Sequence, residues 1–300
     1  MRVHHIQFLC KDLKLQVANF CNHFGFSVFG TWKDRFTQKQ KIVLKRNATY
    51  FVLYEDRNAA CDLVDNIALE VGLIGKVCEK MDRNMICNGP EILTQDGADG
   101  RTDPSFIEAA VIKSPVGNIK HTILCTDHFS GAFLPDFVPA DHANSSLDMI
   151  IGKDCVNICV GEKVGTGCKD NSHLDHITLA VETGSSFDLM DWYYKYFGFT
   201  RCGVNSKEEA DGFTVETVSE NGSKLGLRLT AMQYHFCSEE SMKMPQSREH
   251  DVKFIFAESL TKQGSQSNTC ISDIGGFRVG HQRRAGSPFI MGLDSPIWKT

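Results

Sequence analysis

The sequence predicts an α+β protein built from paired βαβββ modules, and three kinds of repetition predict it. A strand-like segment occurs three times, at Val3-His4-His5-Ile6-Gln7-Phe8-Leu9, Val64-Asp65-Asn66-Ile67-Ala68-Leu69-Glu70-Val71 and Leu174-Asp175-His176-Ile177-Thr178-Leu179-Ala180-Val181. A helical pattern ending in Phe-Gly-Phe occurs twice, at Phe24-Gly25-Phe26 and Phe197-Gly198-Phe199, displaced by 173 residues. Hairpin signals then follow the helices. Internal repetition of this kind is read before individual elements, because it sets the architecture.

Each element has a local reason. The three strand segments carry apolar residues at period two with β-branched neighbours, the pattern of a strand with one buried face. Val17, Phe20, Cys21 and Phe24 have helical spacing, as do Phe187, Met190, Tyr193 and Tyr196, with Trp192 beside them. The glycine after each helix supplies a left-handed stop, and the next Phe opens a strand. Lys41–Leu44 and Thr49–Tyr54 read as a hairpin pair. A helix is expected near Ile74–Met81, then a hairpin from Ala109 to Leu124 that turns at Ser114-Pro115-Val116-Gly117-Asn118. Phe213–Val218 and Leu225–Thr230 are joined through Asn221-Gly222, a strong hairpin signal.

A chain of 300 residues suggests about two domains, and an apolar fraction of 42% with 20 Phe can fill a core in each. The expected division is residues 1–150 as an N-terminal domain of two modules, 165–262 as the first module of a C-terminal domain, and 263–300 as an irregular tail. A formal charge of -5, with Lys and Arg spread along the chain, argues against nucleic acid as a partner. No apolar run is long enough for a transmembrane helix. The 12 Cys are scattered and read as free thiols, although Cys155 and Cys159 have the spacing of half a zinc site.

Two such modules side by side form a curved sheet around a cavity. His5, Asn66 and His176 occupy the same place in the three strands, and the place stays polar in each. A polar side chain on an otherwise apolar face is costly unless something satisfies it. His176 is therefore the leading candidate for a metal ligand, against the commoner role of a core histidine bonded to backbone. His173-Leu174-Asp175 offers a second, His-x-Asp arrangement. Because Asp175 recurs as Asp65 in a module without a His partner, it reads as structural.

An ordered set of landmarks now carries a resemblance. It comprises the connector Phe133-Leu134-Pro135-Asp136-Phe137-Val138-Pro139, the strand around His176, and Trp192-Tyr193 through Phe197-Gly198-Phe199. Gly226-Leu227-Arg228-Leu229-Thr230-Ala231 and Ala257-Glu258-Ser259-Leu260 complete it. Over roughly residues 1–262 the chain resembles the 4-hydroxyphenylpyruvate dioxygenase family of the vicinal-oxygen-chelate (glyoxalase-like) superfamily, and most of all a paralogous animal branch.

That resemblance implies a non-haem Fe(II) in the C-terminal half, held by two His and one carboxylate with open positions for substrate and O2. It implies oxidative decarboxylation of 4-hydroxyphenylpyruvate, an aromatic 2-oxo acid. Ala257-Glu258-Ser259 stands where the family has a substrate-side Asn, which shifts the expected product from homogentisate to 4-hydroxymandelate. The first ligand maps onto His176. The second maps onto His281, in Gly275-Gly276-Phe277-Arg278-Val279-Gly280-His281, although the charged Gln282-Arg283-Arg284 that follows departs from a buried strand. The third, a Glu expected about eighty residues further on, has no counterpart before Thr300, and Asp294 is the sole carboxylate after His281.

The last module is therefore expected to be incomplete, as in a truncated or alternatively spliced product. On that expectation the chain is inactive or poorly folded, and the alternative function is a paralogue acting as a binding or scaffold protein. The resemblance further implies a homodimer and a mitochondrial location, with the cytosol as the alternative.

Overall fold

Residue parity explains the first strand. In β1 (Arg2–Cys10) of the computed structural model, Ile6, Phe8 and Cys10 point to one side and His5 and Gln7 to the other, yet all five are buried. Both faces of this strand are therefore covered. Phe8 meets α1 (Leu13–Phe24), its ring 5.3 Å from that of Phe20. His5 and Gln7 face a cavity. The structure describes residues 1–95, 105–152, 173–204, 207–218, 224–234, 253–260 and 289–294. His281, Cys155 and Cys159 lie outside the described residues.

Helix α1 starts where Asp12 accepts a hydrogen bond from the Leu15 amide at 2.9 Å. It stops at Gly25, whose φ of 67° is the left-handed turn the sequence predicts. The chain then runs through β2 (Ser27–Lys33), β3 (Gln40–Arg46) and β4 (Thr49–Glu55). The first module is ordered β1-β4-β3-β2, with β1 and β4 parallel and the remaining pairs antiparallel. The second module repeats it with β5 (Leu63–Glu70), α2 (Ile74–Glu79), β6 (Ile86–Thr94), β7 (Phe106–Lys113) and β8 (Lys120–Cys125). Its order is β5-β8-β7-β6, again with a parallel first pair.

The two modules join through β1 and β5, which are neighbours at the middle of one nine-stranded sheet. The connector adds β9 (Phe137–Pro139), which pairs with β2, and α3 (Asn144–Ile151) follows. One side of the sheet packs Phe8, Phe26 and Phe51 against Phe20 of α1. The opposite side gathers Trp32, Val43, Val52, Ala68, Leu124, Phe133 and Leu134. Each fully buried aromatic or aliphatic side chain contributes roughly 1.5–3 kcal/mol, so these two layers dominate the stability of the unit.

The chain divides into two units, one of residues 3–113 with 119–173, the other of residues 1–2 and 114–118 with 174–300. In the second unit β10 (His173–Val181) leads into α4 (Ser186–Phe197), which ends at Gly198 with φ 73°. Then come β11 (Thr200–Cys202), β12 (Phe213–Val218), β13 (Lys224–Gln233) and β14 (Lys253–Ser259). β10 runs parallel to β14, β14 antiparallel to β13, and β13 antiparallel to both β11 and β12. This is the order of the first module again. Tyr193 of α4 stacks on Phe254 at 5.2 Å and lies 5.7 Å from Phe256, closing the core of this unit. Of the tail expected to be irregular, the described part is a strand, β15 (Phe289–Asp294), beside β10 as β5 lies beside β1.

Candidate functional site

His176 stands on β10 opposite Lys253 of β14, between the fully buried Ile177 and the polar Asp175. Its Nδ1 lies 2.8 Å from Asp175 Oδ2, and Lys253 Nζ approaches the other oxygen of that carboxylate at 3.8 Å. A carboxylate can only accept, so Nδ1 donates and Nε2 is the ring nitrogen left to meet a metal. An acceptor holding one imidazole nitrogen is the usual support of a metal-bound histidine. Asp175 thus contacts both His176 and Lys253.

The donor set decides the fit to iron. Among the described residues no three His, Cys, Asp or Glu side chains converge on one point. The described residues therefore supply one oriented imidazole, and the expected second ligand, His281, falls outside them. An iron site does not fit the described residues as a complete set.

The N-terminal unit holds a more elaborate polar assembly. His5 and Asn66, the counterparts of His176, both line a cavity of about 220 Å³. Lys41, on β3, is wholly buried and donates through Nζ to Asp34 and to Gln7 Oε1. Gln7 Nε2 donates to both oxygens of Asp65, at 3.1 and 3.2 Å, and the Tyr54 hydroxyl donates to Asp65 at 2.6 Å. Burial lowers the Lys41 pKa, opposed by Asp34, and raises that of Asp65, opposed by the hydrogen bonds from Tyr54 and Gln7. Burial also drives the His5 imidazole well below its ordinary value, helped by His4 and Lys41. His5 is accordingly neutral, with its Nδ1 held 2.9 Å from Nδ1 of His4.

The connector motif closes this assembly. Trp32 Nε1 donates to the Pro135 carbonyl at 2.9 Å, and Arg35 grips Asp136 while donating to the Thr94 carbonyl at 2.6 Å. Leu134 and Pro135 are thereby pressed into the cavity wall. Sequence reasoning found the connector and the His5/Asn66 position but missed Lys41, Asp34 and Tyr54. The recurrence of Asp65 as Asp175 was the available signal, since both carboxylates anchor a polar partner on the first strand of a module.

Glu258, in the Ala257-Glu258-Ser259 stretch, ties the sheet to a helix. Its Oε1 accepts from the Ser186 amide at 2.8 Å at the start of α4, and Arg228 donates to its Oε2. Burial would raise its pKa, but the bonds from Ser186 and Arg228 outweigh that and hold it at about 2. Ala257 beside it is buried in the sheet and offers no hydrogen bond.

Modules of this order, paired through their first strands, define the vicinal-oxygen-chelate fold. A triple mutant of 4-hydroxymandelate synthase from Streptomyces coelicolor shares it, with a TM-score of 0.51 and 11% identity over 86% of this chain and 62% of that one. By sequence the chain is similar to the 4-hydroxyphenylpyruvate dioxygenase-like protein of Rattus norvegicus, at 35% identity over 124 residues, 41% of this chain and 27% of the relative. The human protein of the same name matches at 32% over the same shares. The matched stretch thus spans about a quarter of the length of these curated relatives. No family model matches the chain. Among the described residues no helix is long and apolar enough to cross a membrane.

Proposed function

We propose that this protein is an Fe(II)-dependent dioxygenase of the 4-hydroxyphenylpyruvate type, with 4-hydroxymandelate as its product. The observation that carries this reading is His176, held by Asp175 in the tautomer that presents Nε2. Similarity to the dioxygenase-like proteins and a fold shared with a 4-hydroxymandelate synthase support it. His281 is the second ligand in this reading. Iron, when bound, would supply O2-dependent decarboxylation of the aromatic 2-oxo acid. Ala257, with no amide, leaves the substrate without the contact expected to favour ring attack. The same reading makes the protein a mitochondrial homodimer, with the cytosol as the alternative location.

Anaerobic protein given Fe(II) and 4-hydroxyphenylpyruvate should show the weak visible charge-transfer band of an iron-bound keto acid, and should release CO2 once O2 is admitted. His176→Ala should lose iron, and Asp175→Asn should weaken iron binding roughly 10–100-fold while leaving the fold intact. Iron retained by His281→Ala would remove that residue from the ligand set. Neither band nor CO2 would overturn the reading.

A second reading, a binding or scaffold protein, is favoured by one observation: the described residues contain no three-ligand cluster. Binding of 4-hydroxyphenylpyruvate to iron-free protein without turnover would select it.

A further inference from the structure

The cavity in the N-terminal unit invites a ligand that the oxygenase reading does not use. Its lining sets a few hydrogen-bond donors among apolar side chains. On the second module, Lys120 and Thr122 occupy the same face of β8, and Asn88 of β6 lies in register with Val111, which is itself opposite Thr122. These three bring hydrogen-bond donors to one wall. Thr122 Oγ1 already accepts from Asn66 Nδ2 at 2.7 Å, so its hydroxyl hydrogen is turned to donate elsewhere. Trp32, Phe36 and Leu134 from the first module and the connector, with Val111 and Leu124 from the second, supply apolar lining.

Charge decides what the donor wall takes. The lining carboxylates are answered within the protein, Asp34 by Lys41 and Asp65 by Tyr54 and Gln7. Arg35 is held by Asp136. Lys120 forms no ion pair with a carboxylate among the described residues, and it lies exposed at the rim. One ammonium, one hydroxyl and one amide on a single wall match a carboxylate. Size sets the rest. A dry cavity of about 150 Å³ admits benzene, so about 220 Å³ admits one ring with a short acid side chain.

The geometry points to a second ligand site in the N-terminal unit, binding a small monocarboxylate with an apolar, ring-sized body. The carboxylate meets Lys120, Thr122 and Asn88, and the ring lies against Trp32 and Phe36. This site needs no metal and goes beyond the oxygenase reading.

Phenylacetate and its neutral counterpart 2-phenylethanol, titrated into the iron-free full chain by calorimetry and ligand-observed NMR, test it. Phenylacetate should bind at one site and quench Trp32 fluorescence, with the alcohol weaker by roughly tenfold, the loss of one charge-assisted hydrogen bond. Lys120→Met, at an exposed position that leaves the core untouched, should weaken phenylacetate by a similar factor and leave the alcohol unchanged. Thr122→Val should weaken it too, with a thermal melt to verify folding. His176→Ala should bind phenylacetate normally although it loses iron, which separates this site from the oxygenase reading. Unsaturable binding, equal affinity in Lys120→Met, or loss of binding in His176→Ala would overturn the proposal.

Discussion

Arg228 on β13 and Glu258 on β14 lie directly opposite one another, and both guanidinium donors reach a single carboxylate oxygen, Nε at 3.1 Å and Nη2 at 2.5 Å. The other oxygen is left for the Ser186 amide at the start of α4. One buried carboxylate therefore ties the sheet to the helix that packs on it, where the helix dipole also favours negative charge.

Removing either partner should be costly. Glu258→Gln is expected to lower stability by about 2 kcal/mol, through loss of charge-assisted hydrogen bonds. Arg228→Met should cost about 3 kcal/mol, because the carboxylate stays buried without its cation. The folded pKa of Glu258, about 2, lies below its ordinary 4.5. Its contribution is present above pH 4.5 and is lost as pH falls towards 2. Urea midpoints across that range should show the loss in the native protein and a flatter profile in Glu258→Gln.

The Lys41–Asp34 pair should behave as a unit. Lys41→Met strands Asp34 in the core and is expected to destabilise by roughly 3–5 kcal/mol. Replacing both, as Lys41→Met with Asp34→Leu, should recover much of that loss. Chemical denaturation of the two singles and the double gives the coupling, and additive losses would show that the ion pair is not what the core depends on.

His121 should make the N-terminal unit sensitive to mild acid. It is fully buried, donates from Nδ1 to the Ile67 carbonyl at 3.0 Å, and burial lowers its pKa from 6.5 to about 4. Between those values the unfolded chain binds a proton that the folded chain refuses, so stability falls as pH drops from 6.5 towards 4. The imidazole C2–H resonance of His121 should stay in its neutral position down to about pH 4, and a midpoint near 6.5 would sink the prediction.

Gly30 should tolerate no side chain. A Cβ there would stand 2.2 Å from the Val138 carbonyl, backbone against backbone, where β9 pairs with β2. Gly30→Ala is expected to cost at least about 2 kcal/mol and to displace the connector, breaking the Trp32–Pro135 bond and shifting the Trp32 emission. Gly25→Ala meets only ordinary contacts at 3.7 Å, so its cost is the left-handed backbone alone, about 1 kcal/mol.

Much of the fold was legible in the residues. Period-two patterns located β1, β5 and β10, and the glycines of Phe24-Gly25-Phe26 and Phe197-Gly198-Phe199 ended both long helices in the left-handed turn expected of them. The repeat also placed His5 and Asn66 on a cavity. Strand β6 was not legible. Its pairing with β7 slips twice and most of its side chains are exposed, so it carries little apolar alternation.

Local pattern thus determined the modules by itself, because strand period, helix spacing and glycine stops act over a few residues. Tertiary structure decided the roles of the polar residues. In the sequence Lys41 only opens a strand segment, and only the fold sets Asp34 and Gln7 around it; likewise only the fold brings Glu258 to Arg228 and Ser186. The physical reason is that the fate of a charge depends on its partners and its solvent, and both are fixed only when distant strands come together.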